Sequence, residues 1–302
     1  MLRKHNEMRS TSTTRISYRT WGNPHNPIVV LLHGFMQDAT AWDTAGSDIA
    51  ATGRFVIAPS VVVLAHSASS LEALAADLRS RITTLLAQVG RELKSNEGIS
   101  LVGYSMGGRI ALAWLHAFPN DIDALVLESA GLGMASKNAR SVALAKDTET
   151  VRRLDRVIQG DDTFDEFVDW WQVRPVFATQ SSLADAIRLT QRQERCRWSA
   201  PDVRALVTDA GQHTMSDQCD ILDDLCTFVA SGRSLLYLAG SRDRTYSEVA
   251  RVLAHSLEIP VQDGECTVDH VAVMLVDAGH NIHLEHPDKF VRIVGRWLAS
   301  NV

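Results

Sequence analysis

The sequence predicts an α/β fold in which a mostly parallel, twisted sheet is flanked by helices and carries an inserted helical cap. Two observations favour this fold. Short apolar runs, typical of strands buried on both faces, alternate along the chain with segments of helical periodicity. Between residues 131 and 230 this alternation stops, and helical patterns occur without a clear buried strand. We therefore expect a core formed by residues 1–130 and 231–302, with residues 131–230 as the cap.

The strands of the expected core follow from apolar or β-branched runs that end at turn residues or polar residues. In chain order they are Thr14–Trp21, Ile28–Leu32, Phe55–Ala58, Ile99–Val102, Ala124–Glu128, Ser234–Gly240 and Val271–Val276. The helices follow from apolar residues that recur every three or four positions. They span residues 71–89, 109–116 and 287–298 in the core, and 138–158, 164–171 and 181–195 in the cap.

Composition limits the classes of function. The 302 residues are 45% hydrophobic and 22% charged, with a formal net charge of −6, and offer no broad basic face for nucleic acid. No apolar run approaches the roughly 20 residues of a membrane span, and no apolar segment of an export signal follows the charged start. The four cysteines form no C-x-x-C pair, which favours reduced thiols in the cytoplasm. We expect no cofactor, and the oligomeric state is not set by the sequence.

One serine stands between a predicted strand and a predicted helix, in Gly103-Tyr104-Ser105-Met106-Gly107. A serine on such a tight turn is held in a strained conformation with its hydroxyl exposed, and the flanking glycines leave room for the turn. The helix N-terminus that follows directs free N–H groups at any oxyanion formed there. The segment predicts a nucleophile elbow with Ser105 as the nucleophile.

Two later residues complete the predicted triad. A serine is a poor nucleophile or base unless an imidazole accepts its proton and a carboxylate orients that imidazole. Asp243 and His280 each follow a predicted strand, at the edge where open α/β sheets place their ligand sites. Glu128 is a competing acid, because it also ends a strand. We predict Ser105, Asp243 and His280 as the catalytic triad.

The oxyanion hole requires two N–H donors. Met106, directly after the nucleophile, is expected to supply one of them, and Phe35, in the turn after an earlier strand, is expected to supply the other. His33, in the same turn, is expected to support that loop through hydrogen bonds. The pattern His280-x-x-His283-x-x-His286 suggests a metal site by its spacing, but no supporting carboxylate pattern accompanies it. We therefore expect no metal.

At these residues the chain resembles the α/β-hydrolase superfamily over nearly its full length. Within it, several segments resemble the 2-succinyl-6-hydroxy-2,4-cyclohexadiene-1-carboxylate synthases, the pyruvate-eliminating enzymes of menaquinone biosynthesis. They are residues 33–35, 103–109, 169–171, 174–177 and 278–281, with His283, Glu285 and Pro287. The resemblance implies that the serine, made basic by its histidine, takes a proton from the substrate, and that pyruvate leaves without an acyl-enzyme.

The resemblance also implies a pocket for a small substrate with several carboxylates. The side chains it assigns to substrate binding are Tyr104, Arg109, Arg140, Trp171, Phe177 and Arg192. Guanidinium–carboxylate pairs in a partly dry pocket are stronger than surface pairs, which is why arginines are expected there.

Two departures from the family bear on the substrate. The family pattern D-x-P-G-H-G-x-S corresponds to Ala58–Ser67, where only the proline, the histidine and the serine match. The first cap helix of the family offers two arginines three residues apart, whereas this chain has Arg140 and Ala143, with Lys146 one turn further on as a possible replacement.

Three functions therefore remain open. The first is a serine-triad lyase that eliminates pyruvate from a carboxylated cyclohexene. The second is a hydrolase of carboxylic esters or thioesters that forms an acyl-Ser105 intermediate. The third is a ligand receptor that keeps the triad without using it. A set of arginines along the cap separates the first from a hydrolase of apolar esters.

Overall fold

The computed structural model describes residues 18–61, 70–93, 97–264 and 267–302. Within these residues a single eight-stranded sheet forms the centre of the molecule. Its strands are β1 (Tyr18–Trp21), β2 (Ile28–Leu32), β3 (Phe55–Pro59), β4 (Ile99–Tyr104), β5 (Ile122–Glu128), β6 (Ser234–Gly240), β7 (Val261–Asp263) and β8 (Val271–Val276). Their order is β1-β3-β2-β4-β5-β6-β8-β7. Strand β1 pairs antiparallel with β3, and the other neighbours are parallel.

The predicted α/β fold with a mostly parallel sheet is confirmed. Strands β2, β3, β4 and β6 are buried along their whole length, as their mostly apolar character predicts. Strand β7 was not predicted, because it is a partly polar edge strand of three residues without an apolar run. Residues 14–17 of the first predicted strand lie outside the described residues, as does most of the Ala58–Ser67 segment, from residue 62 onward.

Helices cover both faces of the sheet. In chain order they are α1 (Asp43–Ala51), α2 (Leu71–Gln88), α3 (Met106–Ala117), α4 (Lys137–Gln159), α5 (Phe164–Gln172), α6 (Asp185–Cys196), α7 (Ala200–Ala210), α8 (Gln218–Ala230), α9 (Arg244–Ser256), α10 (Ile282–Glu285) and α11 (Pro287–Asn301). Helices α2, α3 and α9 bury their apolar side chains on one face. Helices α1 and α11 do so on the other face, through residues such as Ile49 and Trp297. None of the described helices is both long and apolar enough to cross a membrane.

The interval between β5 and β6, where the sequence predicts the cap, is helical from α4 to α8. Helix α4 ends at Gln159 and is capped by Gly160, whose φ of 85° is the left-handed conformation that glycine adopts without strain. Helix α4 packs against α7, and α5 packs against α6. A 3₁₀ helix at Pro175–Ser182 connects α5 to α6 along the chain. Helix α8 instead packs against α3, α9 and β6, so the end of this interval lies in the layer that covers the sheet.

Candidate active site

The elbow serine is strained and tightly enclosed. Ser105 lies between β4 and α3 with φ 50° and ψ −107°, a conformation that costs a residue with a side chain on the order of 1–3 kcal/mol. A Cβ on Gly107 would lie 2.1 Å from the carbonyl oxygen of Leu32, and a Cβ on Gly103 would lie 2.6 Å from that of Gly107. Glycine is therefore required at both positions for α3 to approach β2 and β4 closely enough to form the elbow.

The structure brings the three predicted triad residues together. Ser105 Oγ lies 3.1 Å from His280 Nε2, and His280 Nδ1 lies 2.8 Å from Asp243 Oδ2. Because a carboxylate only accepts, Nδ1–H donates to Asp243, which leaves Nε2 to accept the serine proton. The other oxygen of Asp243 accepts the N–H of Tyr246 at 3.2 Å, in the first turn of α9. Asp243 is thus fixed from two sides and holds the imidazole in the orientation that general-base catalysis requires.

The competing acid serves a different histidine. Glu128 is fully buried at the end of β5, and its two oxygens accept the backbone N–H of His283 at 3.0 Å and the ring Nδ1–H at 2.6 Å. The His283 ring stacks on Trp42 at 4.2 Å and meets the edge of Tyr104 at 4.8 Å. The pair of Glu128 and His283 therefore supports the ring of Tyr104 from below.

Within the described residues, no group of three or more metal-ligating side chains has a geometry that could hold a metal ion.

The two expected oxyanion donors belong to the elbow helix and to the cavity lining. Met106 is the first residue of α3, so its N–H has no acceptor within the helix. Phe35 lines the cavity in front of Ser105. Below this turn His33 is fully buried: its Nδ1–H donates to the Gly34 carbonyl at 2.8 Å, and its Nε2 accepts the N–H of Val61 at 2.9 Å. Burial lowers the pKa of His33, which fits a neutral imidazole that supports the loop.

A cavity of about 630 Å³ opens above Ser105, between the sheet edge and the cap. Of the residues expected to bind substrate, Tyr104, Arg109, Trp171 and Phe177 line it. The Trp171 ring lies 4.8 Å from the Phe35 ring, and the Phe177 ring lies 6.3 Å from the His280 ring. Aromatic side chains of the cap therefore form an apolar wall over the triad.

The structure places Arg140 and Arg192 outside the cavity lining. Arg140 donates to the carbonyl oxygens of His213 and Met215, each at 2.7 Å, and to Asp217 at 2.7 Å. Arg192 pairs with Asp169 at 2.8 Å on the exposed surface of α6. Both guanidiniums are thus engaged by the protein itself, and neither is placed to meet a substrate beside Ser105.

Two other guanidiniums lie at the cavity, and neither has a carboxylate partner among the residues that the structure describes. Arg109 and Arg195 line it, and the Nε atom of each is buried without an acceptor in the described part of the chain. Burial lowers the pKa of both, and a bound anion would offset that cost. Arg195 lies over the ring of Phe177, 5.2 Å from its centroid. Sequence reasoning missed Arg195; a weak signal for it was its position one turn beyond Arg192.

Cationic side chains outnumber carboxylates in the cavity lining. Six cationic side chains line the cavity among the described residues, namely Arg109, Lys146, Arg174, Arg195, Arg242 and Arg244, against the two carboxylates Asp147 and Asp243. Asp243 is held by His280, and Arg242 is paired with Asp277. Tyr246, which sequence reasoning also missed, lies 4.7 Å from the His280 ring. The cavity is therefore suited to an anionic molecule.

Comparison with known proteins places this architecture in a family. The model of the alpha/beta hydrolase family matches residues 29–293. The chain belongs to the alpha/beta hydrolase family. This α/β-hydrolase is 26% identical over 279 residues to 2-succinyl-6-hydroxy-2,4-cyclohexadiene-1-carboxylate synthase of Klebsiella pneumoniae, covering 92% of this chain and 96% of the relative.

Solved structures share the fold of this α/β-hydrolase. MenH from S. aureus superposes with a TM-score of 0.75 at 21% identity, over 94% of this chain and 98% of that one. A thermophilic esterase from Thermogutta terrifontis superposes with a TM-score of 0.69 at 20% identity, over 99% of this chain and 100% of that one. The fold is therefore shared by proteins that are named for two different reactions. The residues that line the cavity have to distinguish between these reactions.

Proposed function

We propose that this α/β-hydrolase is a serine-triad lyase that eliminates pyruvate from a small carboxylated cyclohexene in the cytoplasm. The observation that carries the proposal is the presence of Arg109 and Arg195 in the same cavity as Ser105, each with a buried Nε atom that has no acceptor among the described residues. The names of the synthase relatives support it. The product in those names carries a 6-hydroxyl and a 1-carboxylate on neighbouring ring carbons.

In the proposed reaction His280 Nε2 accepts the proton of Ser105, and the serine oxygen removes a proton from a substrate carbon beside a carbonyl group. The electron pair of the broken C–H bond moves onto the carbonyl oxygen, where the N–H groups of Phe35 and Met106 stabilise the enolate. The enolate then re-forms its carbonyl, a new C=C bond forms in the ring, and the C–O bond to the enolpyruvyl group breaks. The departing group takes up the proton held by the imidazolium and becomes pyruvate. No water is consumed.

The arginines and the aromatic wall have separate tasks in this proposal. Arg109 and Arg195 bind substrate carboxylates in a site with little water, where charge-assisted hydrogen bonds are stronger than at the surface. Trp171 and Phe177 contact the ring and limit access of water to the enolate. Without this exclusion of water, the enolate would be protonated before pyruvate leaves.

A second candidate is hydrolysis of a carboxylated ester or thioester through an acyl-Ser105 intermediate. The geometry that supports it is the same relay of Ser105, His280 and Asp243, which is equally suited to attack on a carbonyl. The likeness to an esterase structure shows a shared fold and does not choose between the two reactions.

One assay separates the two candidates. Pyruvate release from the enolpyruvyl intermediate of the menaquinone pathway is measured beside hydrolysis of a short-chain nitrophenyl ester, with wild-type protein and Ser105→Ala. We expect pyruvate release by the wild type and a loss of at least about 10³-fold in the variant, as for removal of a triad member. Ester turnover without pyruvate release would overturn the lyase proposal. A variant that retains a tenth of the wild-type rate would remove Ser105 from the mechanism.

A further inference from the structure

The cavity wall formed by α4 carries a carboxylate in surroundings that are otherwise rich in cations. Asp147 lines the cavity one helical turn after Ala143. Ala143 occupies the position at which the family resemblance implies a second arginine. A negative charge at this place weakens the binding of a further carboxylate. Its presence therefore calls for a different group of the substrate on this wall.

The carboxylate of Asp147 is fixed by hydrogen bonds from the segment of residues 211–213. The backbone N–H and the ring Nδ1–H of His213 both donate to Asp147 Oδ2, at 3.1 and 2.7 Å. A Cβ on Gly211 would lie 2.8 Å from the same oxygen, so glycine leaves the space for this contact. Arg140 fixes His213 in turn by donating to its carbonyl oxygen at 2.7 Å. The orientation of the carboxylate is thus determined before any ligand enters.

The second oxygen of this carboxylate remains available. Both hydrogen bonds that the described residues give to Asp147 end on Oδ2, and Oδ1 has no protein donor among them. Arg109 lies near enough for the charge of Asp147 to act on its pKa, yet no ion pair within 4.0 Å joins the two among the described residues. Arg109 therefore keeps its donors, and Asp147 keeps one acceptor, on neighbouring parts of the same cavity.

We propose that Asp147 Oδ1 accepts a hydrogen bond from a substrate hydroxyl that lies close to the carboxylate bound by Arg109. The substrate class is then a hydroxylated carboxylic acid in which the two groups are neighbours. The identity of the natural substrate rests on the proposed function, whose product carries such a pair on adjacent ring carbons. Asp147 acts here as a specificity residue, because it favours a hydrogen-bond donor and rejects a third carboxylate.

A binding experiment tests the subsite without turnover. Calorimetry compares trans-2-hydroxycyclohexanecarboxylate with cyclohexanecarboxylate on the wild type, Asp147→Ala and Asp155→Ala. Asp155 is the matched control, an acid on the same helix that pairs with Arg204 at 2.6 Å and does not line the cavity. We expect the hydroxy acid to bind the wild type and Asp155→Ala about tenfold more tightly than the parent acid, as for a hydrogen bond to a charged group. In Asp147→Ala the two acids should bind alike.

Equal affinity of the two acids for the wild type would overturn the proposal, and so would an equal loss of both in Asp147→Ala. The second result would mean that Asp147 only supports the cap. In the pyruvate assay, Asp147→Ala is expected to raise KM about tenfold with a smaller effect on kcat. A wild type that releases no pyruvate would end the lyase proposal, while the comparison of the two acids would still decide the hydroxyl subsite.

Discussion

Arg192 and Arg195 lie three residues apart on α6, yet their surroundings differ. Arg192 is paired with Asp169 at the surface, whereas Arg195 is buried at the cavity and contacts the ring of Phe177. The family resemblance implies a substrate-binding role for Arg192, but the chain from Phe177 to α6 passes through the rest of the 3₁₀ helix Pro175–Ser182 and a loop. A difference of one helical turn, about 5 Å along the axis, decides which guanidinium reaches the cavity. Counting residues does not resolve it.

This difference gives a matched pair of variants. Arg195→Ala is expected to lower kcat/KM for a carboxylated substrate by about 10- to 100-fold, because a charge-assisted contact to a desolvated guanidinium is lost. Turnover of a neutral nitrophenyl ester should change little. Arg192→Ala, which removes an exposed ion pair, should leave both substrates nearly unaffected. Equal effects of the two variants on the carboxylated substrate would contradict the assignment of Arg195.

His33 gives the stability of the fold a dependence on pH. Its folded-state pKa is lowered from 6.5, because burial opposes the charged form. The unfolded chain therefore binds more protons than the folded chain, and this contribution to stability is complete above about pH 6.5 and is lost as the pH falls towards the folded pKa. In His33→Gln the free energy of unfolding, measured by urea titration, should depend less on pH between about 5 and 7. Identical pH slopes for both proteins would show that other groups cause the dependence.

At the scale of elements, α10 joins the cap to the histidine loop. Glu285, the last residue of α10, accepts the Thr179 hydroxyl at 2.9 Å and the N–H of Gly279 at 2.7 Å. Gly279 directly precedes His280, and Thr179 lies in the same 3₁₀ helix as Phe177, whose ring is near the imidazole. One carboxylate therefore sets the positions of the general base and of the cap wall that covers it.

Two variants separate these links. Glu285→Ala leaves both donors without their acceptor and is expected to lower kcat by about tenfold or more, because a small displacement of His280 is costly. Thr179→Val removes only the link to the cap and should mainly raise KM. Thermal unfolding shows whether each variant is folded. If Glu285→Ala changed the melting temperature but left kcat untouched, its role would be stability alone.

Helices and strands were predictable wherever one period dominates the sequence. The buried strands β2 and β4 consist mostly of apolar residues, and α2 repeats Leu74, Leu78, Ile82 and Leu85 on one face. The edge strand β7 was not predictable, because it has two polar residues among three and owes its conformation to pairing with β8. Helices α7 and α8 were not predicted individually; the sequence indicated only that the interval of the cap is helical.

At the scale of the whole molecule, the sheet explains why distant residues could be grouped from sequence. Ser105, Asp243 and His280 each follow a strand, and parallel strands bring their carboxyl ends to one edge. Cap residues lack such a rule, since their approach to the cavity depends on how α4 to α7 pack. Arg140 illustrates this: the family resemblance implied a role towards substrate, but its partners are Asp217 and the backbone carbonyls of His213 and Met215.

The position of the cap in the chain divides the chemistry between two stretches of polypeptide. The proposed nucleophile precedes the exposed turn at Gly160, and the proposed base and acid follow it. Cleavage at that turn would leave two fragments, each with an incomplete relay. Turnover would then require the fragments to rebuild a common sheet in which β5 and β6 are neighbours. Recovery of turnover after mixing the two fragments would then measure how much of the sheet they have re-formed.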